Sequence, residues 1–150
     1  MQEPAYPPQM PQSGYGQQSR YPSAPSFHVL WVDDQPDRKA VVRTVLEGVG
    51  AQVTHVENSA DAVQALRTRT PDLLISDISR GRDHAAGFAM VERLKEDGNY
   101  DGPVVFFTIR RSPDREERAR AMGAELTNNE QELEQLVLSA LREWALFEAP

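Results

Sequence analysis

The chain of 150 residues contains no cysteine, which rules out disulfides and thiolate metal sites and leaves no redox marker of compartment. It has no apolar run long enough to cross a bilayer, and no basic start followed by the short apolar stretch of a signal peptide. The expected location is the cytoplasm, with no membrane insertion. Positive charge is in deficit: 16 Lys and Arg stand against 23 Asp and Glu, for a formal net charge of −7. A surface of that sign is repelled by phosphate backbones, so nucleic acid is not an expected partner. Charge is nearly missing from residues 1–26, where Glu3 and Arg20 cancel.

That leader holds six of the eleven prolines, five glutamines, and Tyr6, Tyr15 and Tyr21. It cannot bury enough apolar surface to offset its ordering entropy and is expected to be disordered. Tyr6-Pro7-Pro8 could serve as a polyproline-type docking segment, but a solubilising leader is the simpler reading. The remaining residues, 27–146, are a normal size for one domain with its own core.

From Phe27 onward, apolar runs of strand length alternate with helical spacing. Phe27 to Val32 reads as a strand. Pro36 stands at a favoured first helical position, ahead of Val42, Val45, Leu46 and Val49 on one face. Gln52 to Val56 reads as a second strand, and Ser59 as the cap of a helix carrying Ala62, Val63 and Leu66. A third strand runs from Pro71 to Asp77, and a helix from Gly87 to Lys95 buries Phe88, Val91 and Leu94. Val104 to Thr108 is the fourth strand, and Ser112-Pro113 opens the next helix. A short strand, Glu125 to Thr127, precedes the last helix, where Asn129 and Glu132 have capping-box spacing before the stripe Leu133, Leu136, Val137, Ala140, Leu141 and Trp144. Five strand-helix units in strict alternation imply an α/β fold, a doubly wound parallel sheet with helices on both faces.

In such a sheet, sites lie beyond the carboxyl ends of the strands. Three strands end there in oxygen-bearing side chains: Asp33-Asp34, Asp77 and Thr108. Carboxylates gathered at one edge repel one another unless a hard cation joins them, and their oxygens suit magnesium. Asp33 or Asp34 could also cap the following helix. His28, His55 and His84 have no ligand spacing and read as strand-surface or loop residues; Trp31 and Trp144 read as core or interface anchors. Arg80, Arg82, Arg110 and Arg111 fall in the two loops flanking the edge, where solvated charge is the plain reading and a phosphate contact the functional one.

Val32-Asp33-Asp34, Pro71-Asp72-Leu73-Leu74-Ile75-Ser76-Asp77, Val104-Val105-Phe106-Phe107-Thr108 and Gly123-Ala124, in that order and spacing, resemble the receiver domain of two-component response regulators. The resemblance covers residues 27–146 and implies a flavodoxin-like (βα)5 fold with strand order 2-1-3-4-5. It implies Asp77 as phosphoacceptor, Asp33 and Asp34 as holders of magnesium together with Asp77 and the Ser79 carbonyl, and Thr108 as a bond donor to a phosphoryl oxygen. The implied partners are a histidine kinase or phosphotransfer protein and a downstream protein target, with a homodimer possible.

The chain also departs from that pattern. Asn128 stands where receivers carry a lysine on the fifth strand, and Glu125 stands at the usual aromatic switch. The loop after Asp77 lacks Met-Pro and reaches Gly87 late, and Ile109 is bulkier than usual. Two readings follow. In the first, the protein is a receiver without an output domain, since the chain closes at Pro150 after the last helix; it is not itself an enzyme. In the second, it is a pseudo-receiver that docks proteins without phosphorylation. An aspartate-nucleophile phosphatase is disfavoured because Ser79, not an acid, lies two residues after Asp77.

Overall fold

In the computed structural model, which describes residues 26–35 and 40–148, the apolar runs form five strands: β1 (Phe27–Val32), β2 (Ala51–Val56), β3 (Leu73–Ser76), β4 (Val104–Phe107) and β5 (Glu125–Thr127). They pair in parallel in the order β2-β1-β3-β4-β5, the order that the resemblance implies. Between and after them run α1 (Ala40–Gly48), α2 (Ser59–Thr68), α3 (Ala86–Glu96), α4 (Pro113–Ala121) and α5 (Glu130–Glu148). The expected helix start at Pro36 lies outside the described residues, as does the leader apart from Ser26.

The three central strands are buried on both faces, which is why they read as continuous apolar runs rather than alternating ones. One face sends Leu30, Val32, Leu74 and Phe106 against Ala62, Phe88, Leu94 and Ala119 of α2, α3 and α4. The other packs Val29, Trp31, Ile75 and Phe107 against Leu46 of α1 and Leu133 and Val137 of α5. The apolar layer is therefore closed on both sides up to the strand ends.

Local details differ from the sequence reading in four places. Asn58, not Ser59, caps α2: its Oδ1 accepts from the Asp61 amide at 2.8 Å, and Ser59 becomes the first helical residue. Val45 is 38 % exposed and Val49 42 %, whereas Val42 and Leu46, four residues apart, form the ridge that meets the sheet. The capping box of α5 is half made. Asn129 accepts from the Glu132 amide at 2.9 Å, but the Glu132 carboxylate takes the Thr127 hydroxyl instead of returning to the cap. His28 is buried rather than on a strand surface, with Nε2 2.8 Å from Thr54 Oγ1 and its pKa lowered by burial.

Gly87 sets the height of α3 against β3. A Cβ there would fall 1.8 Å from the Asp77 carbonyl oxygen, and the Gly87 amide donates to the Ile78 carbonyl at 2.8 Å. Only a residue without a side chain lets the helix approach the strand end this closely.

Candidate functional site

The sheet itself aligns the three strand tips. Asp33 donates its amide to Val56 at 3.0 Å, Asp77 to Val32 at 2.9 Å and Thr108 to Thr127 at 3.0 Å, so each is pinned by a neighbouring strand at the point where the chain leaves the sheet. The register pairs Val32 with Ser76 and Ser76 with Phe106, which brings the side chains that follow to one edge. His55 on β2 adds a brace: its Nε2 lies 2.8 Å from the Asp33 carbonyl, which can only accept, so Nε2 carries the proton.

One oxygen from each of Asp33, Asp34 and Asp77 lies within 4.8 Å of the others. Asp33 and Asp77 are buried, and Asp34 is partly so. Asp33 Oδ1 accepts from the Gln35 amide at 2.7 Å in a local turn; any further capping of the first helix lies outside the described residues. Asp77 Oδ2 accepts from the Asp34 amide at 3.2 Å, and Asp34 Oδ2 from the Gly81 amide at 3.2 Å. Burial raises the Asp77 carboxyl to about 6; Arg80 opposes that shift and Asp33 adds to it. Three hard oxygen donors at this spacing fit a divalent cation such as magnesium.

Arg80 reaches Asp77 through the loop that reaches Gly87 late. Residues 80–83 close a tight hairpin, in which the amides and carbonyls of Arg80 and Asp83 exchange two 2.9 Å bonds and Gly81 takes φ +56°. The turn directs the Arg80 side chain back under the strand end. Its Nε donates to Asp77 Oδ1 at 2.7 Å and Nη1 to Ser59 at 2.8 Å, with both charged side chains about nine-tenths buried. The Asp77 carboxylate thus has its own counter-ion.

A cavity of about 520 Å³ opens over this edge, lined by Asp33, Asp34, Asp77, Ser79, Thr108, Arg110 and Arg115 among others. Thr108 Oγ1 accepts from the Arg115 Nη1 at 3.0 Å and the Arg110 amide at 3.3 Å. Both hydroxyl lone pairs are then engaged, and the O–H is the group left to offer an incoming oxygen.

Asp33, Asp34, Asp77, Ser79, Thr108 and Arg110 share the cavity, and Arg80 joins it through Asp77. Arg82 is exposed at the hairpin tip and does not line it. Arg111 pairs with Glu116 and Glu132, at 3.2 and 3.5 Å. Asn128 is exposed and lines a second cleft with Arg111 and Glu132, because Thr127 binds Asn129 and Glu132 and turns the chain away from the edge. Arg115 is missing from the sequence reading, which takes His55 for a strand-surface or loop residue and not for a brace of the site. A cation three residues after the Ser112 cap opposes the helix dipole among the acids Asp114 and Glu116, and that local mismatch was the available signal for Arg115.

The sequence profile of the response regulator receiver domain matches residues 29–129. The methanol utilization control regulatory protein MoxX of Paracoccus denitrificans is 31% identical over 99 residues, 65% of this chain and 44% of its own length. The signal receiver domain of a signal transduction histidine kinase from Syntrophus aciditrophicus superposes with a TM-score of 0.67 at 28% identity, over 83% of this chain and 97% of that one. The Thermotoga maritima response regulator TrrA, solved in complex with Mg2+-BeF, superposes with a TM-score of 0.63 at 20% identity, over 76% of this chain and 98% of that one, a likeness of fold. The chain thus spans less than half the length of the curated relative and nearly all of the two solved chains.

Proposed function

The chain belongs to the response regulator receiver domain family of two-component signalling, and from that premise we propose that it accepts a phosphoryl group on Asp77 from a histidine kinase or phosphotransfer protein in the cytoplasm and signals by protein contact. The observation that carries this reading is the convergence of Asp33, Asp34 and Asp77 within 4.8 Å beneath an open cavity that Thr108 also lines.

Arg80 holds Asp77 Oδ1, which leaves Oδ2 to form the bond to phosphorus. As that bond forms, the P–N bond to the donor imidazole breaks and its electron pair returns to the imidazole; no proton is needed from Asp77. Asp77 is ionised at neutral pH, since about 6 is its raised value. Thr108 offers its O–H to a phosphoryl oxygen. Asp33, Asp34, Asp77 and the Ser79 carbonyl would hold magnesium, whose chemistry is to neutralise charge on the transferring oxygens. The protein is a phosphorylation substrate in this reading rather than an enzyme acting on others.

Intact mass after incubation with acetyl phosphate and magnesium tests it. Wild type should gain one phosphoryl group and Asp77→Asn none. Absence of any gain in wild type favours a second reading, a docking module that works without phosphate. Two features support that alternative: Asp77 is already neutralised by Arg80, and Asn128 lies outside the cavity lining.

A further inference from the structure

We infer that Arg115, projecting from the first turn of α4, is the cation that binds the phosphoryl group on Asp77, in place of a lysine on β5. This rests on the reading of Asp77 as phosphoacceptor. Phosphorylation replaces the single charge of Asp77, which Arg80 already meets, by roughly two on the phosphoryl group, so a further cation is called for at the cavity. Asn128 carries no charge and lines a different cleft. Arg80 is committed behind Asp77 to Oδ1, Ser59 and Ser76. Arg111 is committed to Glu116 and Glu132.

Arg115 is differently placed. Its guanidinium lines the cavity and is part-buried, and every bond it makes among the described residues goes to a neutral oxygen. Nη1 donates to Thr108 Oγ1 at 3.0 Å and to the Arg110 carbonyl at 3.0 Å; Nη2 donates to Ser79 Oγ at 2.9 Å and to the His84 carbonyl at 3.2 Å. No carboxylate pairs with it among the described residues. A half-desolvated cation held by neutral acceptors gains by exchanging them for anionic ones, and the planar fork suits two oxygens of a tetrahedral phosphoryl group. Its resting bond to Thr108 puts it beside the hydroxyl that meets the same group.

The exchange has a built-in consequence. Arg115 ties the β4–α4 loop to the β3–α3 loop through Thr108 and Arg110 on one side and Ser79 and His84 on the other. Turning toward phosphate releases the second set, so the charge on Asp77 reaches residues 79–84 and the start of α4 together.

The test uses the full chain as wild type, Arg115→Gln, which keeps an amide donor without charge, and Arg115→Met, which keeps an apolar stem without charge. Labelling by acetyl phosphate with magnesium is followed by intact mass, and magnesium-dependent binding of beryllium fluoride by the shift in thermal midpoint and by amide resonances. Arg115→Gln should label, or bind beryllium fluoride, at least about tenfold more weakly, the size of one lost charge-assisted bond. Its response to magnesium alone should be equal or stronger. In wild type the amides of residues 79–84 and 113–116 should shift together on beryllium fluoride binding, and in Arg115→Gln they should not.

Equal labelling and equal beryllium fluoride affinity in Arg115→Gln overturn the inference. If wild type takes no label yet binds beryllium fluoride more tightly than Arg115→Gln, the role of Arg115 stands and the phosphoacceptor reading falls. If wild type binds neither, both fall. Should Arg115→Gln fail to fold, Arg115→Met decides: binding weaker than wild type by about tenfold or more supports the inference, and wild-type binding overturns it.

Discussion

Asp77 is only 7 % exposed, with Asp33 close by, and its ionised form is held by one guanidinium and one backbone amide. Burial outweighs those partners, so the folded-state value of about 6 lies above the unfolded 3.8. A carboxyl raised in this way favours the fold while protonated: its contribution is whole below about pH 4 and is lost as pH rises through 6. The loss is on the order of 3 kcal/mol from the shift of about two units. In EDTA, Asp77→Asn should therefore be more stable than wild type at pH 7.5 by about 1–3 kcal/mol, and the two should converge near pH 4. Urea unfolding from pH 4 to 8 measures this, and a difference that does not change with pH refutes it. At this scale the sequence showed the oxygens and two of the cations, Arg80 and Arg110, but not Arg115. Asp33, Asp34, Asp77 and Thr108 stand at strand ends, which local pattern reveals; Arg115 enters the cavity from a helix, across a distance in space that no spacing rule encodes.

Elements were legible to the extent that one periodicity governs them. β1, β4 and α5 carry single uninterrupted signals and fall close to where the sequence puts them. The misses come where two residues compete for one role. Asn58 takes the cap of α2 because its side chain closes on the Asp61 amide, which frees the Ser59 hydroxyl to accept from Arg80. Asn58→Ala should then cost about 1 kcal/mol of stability while the magnesium response is kept, since it removes a cap and no site contact; a lost response would mean that α2 positions the site. Gly87→Ala is the opposite case. Its methyl group meets the backbone of Asp77 itself, so α3 must retreat or Asp77 must move. Overpacking of this kind costs roughly 1–3 kcal/mol or more, and here it should also weaken the magnesium-induced rise in thermal midpoint. A variant with wild-type midpoint and wild-type magnesium response would show that the helix shifts freely and that Gly87 does not position Asp77.

Over the whole molecule, the charge of −7 belongs to the residues after 26, because Glu3 and Arg20 cancel in the leader. The parallel sheet begins at Phe27, and the Ser26 carbonyl accepts from Arg69 Nη2 at 3.2 Å, so the contact that anchors the start of β1 lies inside the domain. The fold was readable because alternation of strands and helices leaves few topologies, and connection handedness then fixes the layers. The family was readable through the motifs at the edge where three strands end, and there the sequence carries no distances. A protein beginning at Ser26 retains the sheet, both apolar layers and all three carboxylates, at unchanged net charge. It should therefore melt at the wild-type midpoint and show the wild-type magnesium shift. At ten times its dissociation constant, magnesium should add about 1.4 kcal/mol in both proteins by mass action, and Asp34→Ala should abolish that gain. Thermal melts with and without magnesium check all three proteins. A shortened protein that melts several degrees lower would show the leader packed on the domain, and an intact shift in Asp34→Ala would place the cation away from the three carboxylates.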